Sequence, residues 1–130
     1  MIPKIIHYIW LGGNPLPKIA EKCIESWRKF CPDYEIKRWD ETNIDVNKYE
    51  FTKDAYQAKK YAFVSDVFRT EILYNEGGVY FDIDVELLKS ISFLCGCMIQ
   101  KITIFSATMV TNCTSRAGGF STRAIACFDV

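Results

Sequence analysis

Two glycines, Gly77-Gly78, stand where one hydrophobic period gives way to another. Before them, Asp54 to Glu76 sets Ala58, Tyr61, Ala62, Phe68 and Ile72 on or near one stripe at helical spacing, and a glycine pair is a good helix stop. After them, Val79 to Glu86 alternates. Val79, Phe81, Ile83 and Val85 fall on one face, and Tyr80, Asp82, Asp84 and Glu86 on the other, which is the period of a strand. The earlier part of the chain adds a matching pattern. Lys4 to Trp10 is almost continuously apolar, as in a strand buried on both faces. Leu11-Gly12-Gly13-Asn14-Pro15 ends it. Pro17 to Phe30 then reads as a helix with Ile19, Cys23, Trp27 and Phe30 on one face, and Tyr34 to Trp39 as a second strand. Strand, helix, strand opens a crossover unit with a parallel sheet, so the expected class is α/β. Glu41 to Lys53 reads as polar loop.

Asp82 and Asp84 are the residues that ask for chemistry. Two apart on a strand, they point the same way, with Cα atoms about 6.6 Å apart. Neighbouring carboxylates repel, and a divalent cation, a sugar hydroxyl or a metal-bound diphosphate resolves the repulsion. Mg²⁺ and similar hard cations take oxygen ligands and commonly use one or two protein carboxylates together with substrate phosphates. Taken alone, Asp-x-Asp also fits an exposed strand face with scattered acids. One helix upstream, Asp66 and Arg69 share a face through their spacing of three, among apolar Val64, Val67 and Phe68. They form either a surface ion pair or a ligand-facing one. A guanidinium fork suits phosphate oxygens or sugar hydroxyls, and an aspartate suits ribose hydroxyls.

Charge and cysteine use exclude several classes. The 130 residues carry no net charge, which argues against a general nucleic-acid binder and against a polybasic membrane anchor. The apolar stretch from Leu87 to Val110 is interrupted by Lys89, Gln100 and Lys101, so no transmembrane segment is expected. Met1-Ile2-Pro3-Lys4 does not resemble a secretory leader. The expected location is therefore the cytoplasm, including the inner face of the membrane. The six cysteines then read as reduced thiols, and Cys95-Gly96-Cys97 lacks the partners of a zinc site. His7 is the sole histidine and reads as a hydrogen-bonded core residue.

Composition also divides the chain near residue 90. Residues 1–90 hold 15 of the 16 acids, all three Trp and all seven Tyr. Residues 91–130 hold four of the six Cys and a single acid, Asp129. This tail reads either as two or three buried strands or as a segment that is not the natural continuation, as after a truncation or frameshift.

Four segments line up together: Ile2 to Gly13, Tyr34 to Asp40, Ala62 to Arg69, and Gly77 to Asp84. In this order and spacing the chain resembles the glycosyltransferases with a DXD sugar-binding region. That group includes yeast mannosyltransferases, bacterial capsule and lipopolysaccharide sugar transferases and, more distantly, clostridial glucosylating toxins. The resemblance covers residues 2 to about 90. It implies a GT-A (Rossmann-like) nucleotide-sugar-binding fold, here incomplete, with a UDP- or GDP-hexose donor and a saccharide or lipid-linked saccharide acceptor. It also implies a Mn²⁺ or Mg²⁺ ion and retention of anomeric configuration. By position it makes Ile9 and Trp10 the holders of the base, with Ser65 and Asp66 lining nucleoside and sugar. Arg69 becomes the contact to donor sugar or phosphate, and Tyr80 a neighbour of the donor. Asp82 becomes the contact to ribose and transferred sugar, and Asp84 the metal ligand. Asp82, Asp84 and Arg69 are the expected catalytic set. Residues 91–130 lack the family pattern, which leaves open an inactive truncated remnant that binds donor weakly or not at all. Phe81-Asp82-Ile83-Asp84 is also similar to the phosphatases that use an aspartate nucleophile. That motif wants Thr or Val where Glu86 stands.

Overall fold

The computed structural model describes residues 3–88, 90 and 91, and the backbone of the strands at 103–106, 113–115 and 123–127. The chain runs β1 (Ile5–Ile9), α1 (Lys18–Phe30), β2 (Glu35–Trp39), α2 (Glu50–Gln57), α3 (Tyr61–Glu76), β3 (Gly78–Tyr80), β4 (Val85–Leu87), β5 (Thr103–Ser106), β6 (Cys113–Ser115) and β7 (Arg123–Cys127). Five strands form one sheet in the order β2-β1-β3-β7-β5. β1 lies parallel to both β2 and β3, with Ile6 opposite Ile36 on one side and Val79 on the other. β7 runs antiparallel to β3 and to β5, and β4 pairs antiparallel with β6 in a separate ribbon. Among the described residues after 90, β5 and β7 therefore extend the main sheet.

The alternation of β1 sorts its side chains onto two cores. Ile6 and Tyr8 pack with Trp27 of α1, Val79, Phe81 and Val85. Ile9 packs on the other face with Phe68 and Ile72 of α3 and with Tyr80. Trp27 is fully buried, edge-on to Tyr8 at 5.8 Å and tilted against Phe81 at 5.5 Å. Its Nε1–H donates to the Val85 carbonyl at 2.7 Å, and Ser26 Oγ accepts from the Leu87 N–H at 2.9 Å. Helix α1 thus holds the start of β4 in place. On the opposite face of α1, Ile19 is exposed. The buried stripe consists of Ala20, Cys23, Ile24 and Trp27.

Two expected elements differ. The single helix expected from Asp54 to Glu76 is two helices. α2 starts earlier, inside the segment read as loop, and closes at Ala58 to Lys60. There Lys60 N–H bonds to Ala55 C=O and Lys59 N–H to Tyr56 C=O, with Lys59 at φ +57°. This is a Schellman closure, built around a left-handed residue that is usually glycine and here is lysine. Consequently Ala58 and Ala62 are exposed, and the buried stripe of α3 is Val64, Phe68, Ile72 and Leu73. The expected strand Val79 to Glu86 is broken as well. β3 ends at Tyr80, Asp82 C=O accepts from Val85 N–H at 3.1 Å, and β4 begins only at Val85. The two acids sit in a reverse turn rather than along a strand, because the chain must leave the main sheet to reach the ribbon. The face assignment still holds for the apolar residues, since Val79, Phe81, Val85 and the half-buried Ile83 share one core.

His7 is wholly buried in β1. Trp39 Nε1–H donates to its Nδ1 at 3.1 Å, which leaves Nε2–H to donate to Gly77 C=O at 2.8 Å. Burial lowers its pKa, against the opposing pull of the Gly77 bond, so the ring is a neutral core group. Gly78 has φ +91°, and a Cβ there would stand 2.7 Å from the Ile5 carbonyl oxygen. Only glycine lets β3 approach β1 this closely.

Candidate functional site

The sheet order places β2 and β3 on opposite sides of β1, so the chain changes winding direction between β1 and β3. In open parallel sheets a crevice forms outside the carboxyl ends of strands at such a switch point. Here a cleft of about 600 Å³ opens at that place. Its lining comes from the end of β1 (Ile9, Trp10), the first half of α3 (Ser65, Asp66, Arg69), the end of β3 (Tyr80) and the turn after it (Asp82, Asp84). All eight residues singled out in the sequence face one cavity, although they are drawn from positions 9 to 84. His7 is not among them.

Arg69 is the organising charge. Its side chain is 8% exposed, and it lies between Asp66, one turn back on α3, and Asp82, whose carboxylate is 3.9 Å away. The guanidinium is ion-paired and hydrogen-bonded to Asp66 through Nη2, and its Nε–H donates to the Ser65 carbonyl at 3.3 Å. The guanidinium carbon also stands 5.1 Å from the centre of the Tyr80 ring. Arginine can do all of this because its planar fork offers five N–H donors and stacks on an aromatic face. Burial, then the neighbouring negative charge of Asp82, pushes the Tyr80 hydroxyl well above its ordinary pKa and keeps it a neutral donor.

Trp10 forms the opposite wall. Its backbone N–H donates to Trp39 C=O at 2.9 Å, and its indole N–H donates to Asn14 C=O at 2.7 Å, so the turn at Gly12-Gly13 wraps around the ring's edge. The sequence reading missed Tyr61, Asn14 and Ile83, which also line the cleft. A signal for Tyr61 was present. It precedes Ser65 and Arg69 by four and eight residues and therefore shares their helical face.

A divalent cation fits the donor set as a site that substrate and water complete. Asp82 and Asp84 offer hard oxygen ligands at the mouth of the cleft, and among the described residues no group of three or more His, Cys, Asp or Glu forms a complete protein cage. One or two carboxylates with an incomplete shell is what Mg²⁺-type sites show when substrate phosphates and water complete them. Among the described residues, no helix is long and apolar enough to cross a membrane.

The fold and sequence have counterparts. A solved glycosyltransferase structure, PaToxG, shares the fold with a TM-score of 0.59 at 24% identity, over 80% of this chain and 49% of its own. Inositol phosphoceramide mannosyltransferase 3 of Schizosaccharomyces pombe is 34% identical over 88 residues, 65% of this chain and 24% of the yeast protein. An uncharacterised glycosyltransferase of Acanthamoeba polyphaga mimivirus is 31% identical over 102 residues, 74% of this chain and 41% of the viral one. Subversion of eukaryotic traffic protein A of Legionella pneumophila is 27% identical over 111 residues, 65% of this chain and 17% of its own. The chain thus spans less than half the length of each curated relative. The pattern that defines the glycosyltransferase sugar-binding region containing the DXD motif matches residues 17–106, more than two-thirds of the chain and some way past the compositional boundary at residue 90. With that match over the elements that build the cleft, the chain belongs to the glycosyltransferases with a DXD sugar-binding region.

Proposed function

We propose that the cleft binds a nucleoside-diphosphate hexose and that the chain transfers the hexose to a saccharide or lipid-linked saccharide acceptor. The observation that carries this reading is the buried Arg69 between Asp66 and Asp82 at the switch point of the sheet, facing Trp10 across the cavity. Trp10 and Ile9 offer a flat apolar seat for a base. Ser65 and Asp66 offer hydrogen-bond acceptors for ribose or sugar hydroxyls. Arg69, with N–H groups beyond those used by its carboxylate partners, steadies the diphosphate as the bond from the anomeric carbon to the phosphate oxygen breaks and the acceptor hydroxyl attacks. Tyr80 stacks beneath Arg69 and Asp82 flanks it, so both act as supports for its orientation, and Asp82 is also placed to take a sugar hydroxyl.

Three carboxyl groups, Asp66, Asp82 and Asp84, share the cleft with one guanidinium. A diphosphate entering there adds negative charge, and this supports a hard divalent ion, Mn²⁺ or Mg²⁺, held by Asp84. When bound, such an ion supplies Lewis-acid stabilisation of the leaving diphosphate. Retention of configuration, a UDP or GDP donor, and a role in capsular or lipopolysaccharide synthesis at the inner membrane face extend the same reading, as does a nucleotide-sugar-binding part at residues 1–90 followed by an atypical C-terminal tail at 91–130. The yeast relative's name ties that protein to a lipid acceptor, which supports a lipid-linked acceptor here.

Calorimetric titration with UDP-glucose and GDP-mannose, with and without Mn²⁺, tests the donor site. One of the two is expected to bind only with metal. Asp84→Asn is expected to lose the metal-dependent binding without lowering the melting temperature of the ligand-free chain. Arg69→Lys, which keeps the charge but loses the fork, should weaken binding about tenfold, or roughly 1.4 kcal/mol. Turnover with acceptors is assayed separately. A folded chain that binds neither donor contradicts the reading, and binding without turnover leaves a donor-binding remnant.

A further inference from the structure

Behind the aromatic walls of the cleft lies a carboxylate that does not face it. Glu41 follows β2 by two residues, on a loop made stiff by Asp40, whose Oδ1 accepts from the N–H of Thr42 at 3.0 Å and from its hydroxyl at 2.6 Å. Asn43 ties the same loop back, its Oδ1 accepting from Asp40 N–H at 2.8 Å and its Nδ2 donating to Arg38 C=O at 3.0 Å. From this base a single oxygen of Glu41, Oε1, takes two hydrogen bonds. One comes from the backbone N–H of Gly12 and the other from the Tyr56 hydroxyl at 3.0 Å. Tyr56 packs against Tyr61 with ring centres 5.4 Å apart. Tyr61 in turn closes on Gly12 so tightly that a Cβ at that position would lie 2.9 Å from its ring. Glu41 therefore joins the turn that wraps Trp10 to α2, whose Tyr56 in turn packs on Tyr61 at the start of α3.

We propose that Glu41 is a positioning residue that sets the distance between the Trp10 and Tyr61 walls and thereby the affinity for the donor's base. The inference rests on the donor reading of the cleft. The carboxylate touches no ligand in this scheme and acts through Gly12 and Tyr56. Burial tends to raise the Glu41 pKa, but the bonds from the Gly12 N–H, from its own backbone N–H and from the Tyr56 hydroxyl together outweigh it and hold the carboxyl below its ordinary range. The Gly12 and Tyr56 bonds end on one oxygen, so the carbonyl oxygen of a glutamine, with two lone pairs, can accept both. A latch that works by geometry is thus rescued by Glu41→Gln and broken by Glu41→Ala, whereas a residue that works by charge is broken by both.

The test uses ¹⁵N-labelled full chain in wild-type, Glu41→Gln and Glu41→Ala forms, with the buried Trp27 indole resonance as the marker of an intact core. Without ligand, Glu41→Ala is expected to lose the slow exchange of the Gly12 amide and to shift the Trp10 indole resonance, while Trp27 stays in place. Glu41→Gln should keep both near wild type. Titration with UDP-glucose and GDP-mannose in Mn²⁺ should then show at least fivefold weaker binding in Glu41→Ala and less than twofold in Glu41→Gln, and any turnover should show the change in donor KM rather than in kcat. A Gly12 amide and Trp10 indole unchanged in Glu41→Ala overturn the latch, as does equal loss in both variants. If the wild type binds neither donor, the donor reading fails, and the link to base affinity with it; the ligand-free spectra still decide the latch itself.

Discussion

At the scale of single residues, the site shows how one arginine makes acidic groups tolerable in a half-buried place. Arg69 is partnered on α3 and again across the cleft, and breaking such a set costs more than forming it contributes. Residues of this kind were legible in the sequence because Asp66 and Arg69 at helical spacing among apolar neighbours demand a partner. Glu41 was not legible. It sits in a polar loop, and the donor it satisfies is a backbone N–H that lies 29 positions earlier. His7 gives the clearest pH signature. Its folded pKa lies below the unfolded value of 6.5, mainly through burial. Below pH 6.5 the unfolded chain therefore binds the proton more readily than the folded one, and stability falls as pH drops toward the folded pKa. The lowered carboxyls of Asp33, Asp40 and Glu41 act only beneath their ordinary values of 3.8 to 4.5, so they leave the window from pH 5 to 6.5 to His7. Urea midpoints measured at pH 7.5 and 5.5 should fall for the wild type, and the difference should vanish in His7→Gln even though that variant is less stable at both.

At the scale of elements, periodicity located β1, α1 and β2 to within a residue or two, because an apolar run, a glycine turn and a tryptophan at helical spacing each have one good packing solution. It failed where closure is made by backbone geometry alone. Nothing in Ala58-Lys59-Lys60 marks a helix end, since the left-handed position holds lysine in place of glycine. It also failed at Asp82 to Asp84. Alternation assigned the apolar faces correctly there, yet the chain turns, and the two acids owe their shared direction to that turn. What holds the turn is α1. Trp27→Phe removes the donor to Val85 C=O and leaves a buried carbonyl unpaired next to Asp84, at an expected cost of about 2–3 kcal/mol. Urea denaturation should report that loss, and donor affinity should fall with it if the turn moves.

At the scale of the whole molecule, the cleft is a joint between the two windings of one sheet, and a ligand in it is bound by both. A donor with its metal at a hundredfold excess over Kd is expected to stabilise the chain by about 2.7 kcal/mol, seen as a rise of roughly 8–12 °C in the melting midpoint for a chain of this size. Asp84→Asn should lose that rise. Differential scanning calorimetry should show one transition in both cases, because β1 belongs to both cores.

The position of β1 has a further consequence for synthesis. Its neighbour on one side, β2, leaves the ribosome about thirty residues after it, but the neighbour on the other side, β3, follows only after more than seventy. During that interval the nascent chain carries a bare strand edge through Ile6 and His7, and an unpaired apolar edge is a template for pairing with the wrong chain. The mature edge at β2 is guarded by Glu35, Lys37 and Arg38, but β1 has no such charges between Ile5 and Ile9. Until Val79 and Tyr80 dock, the edge that will later frame the cleft stays open to a wrong partner.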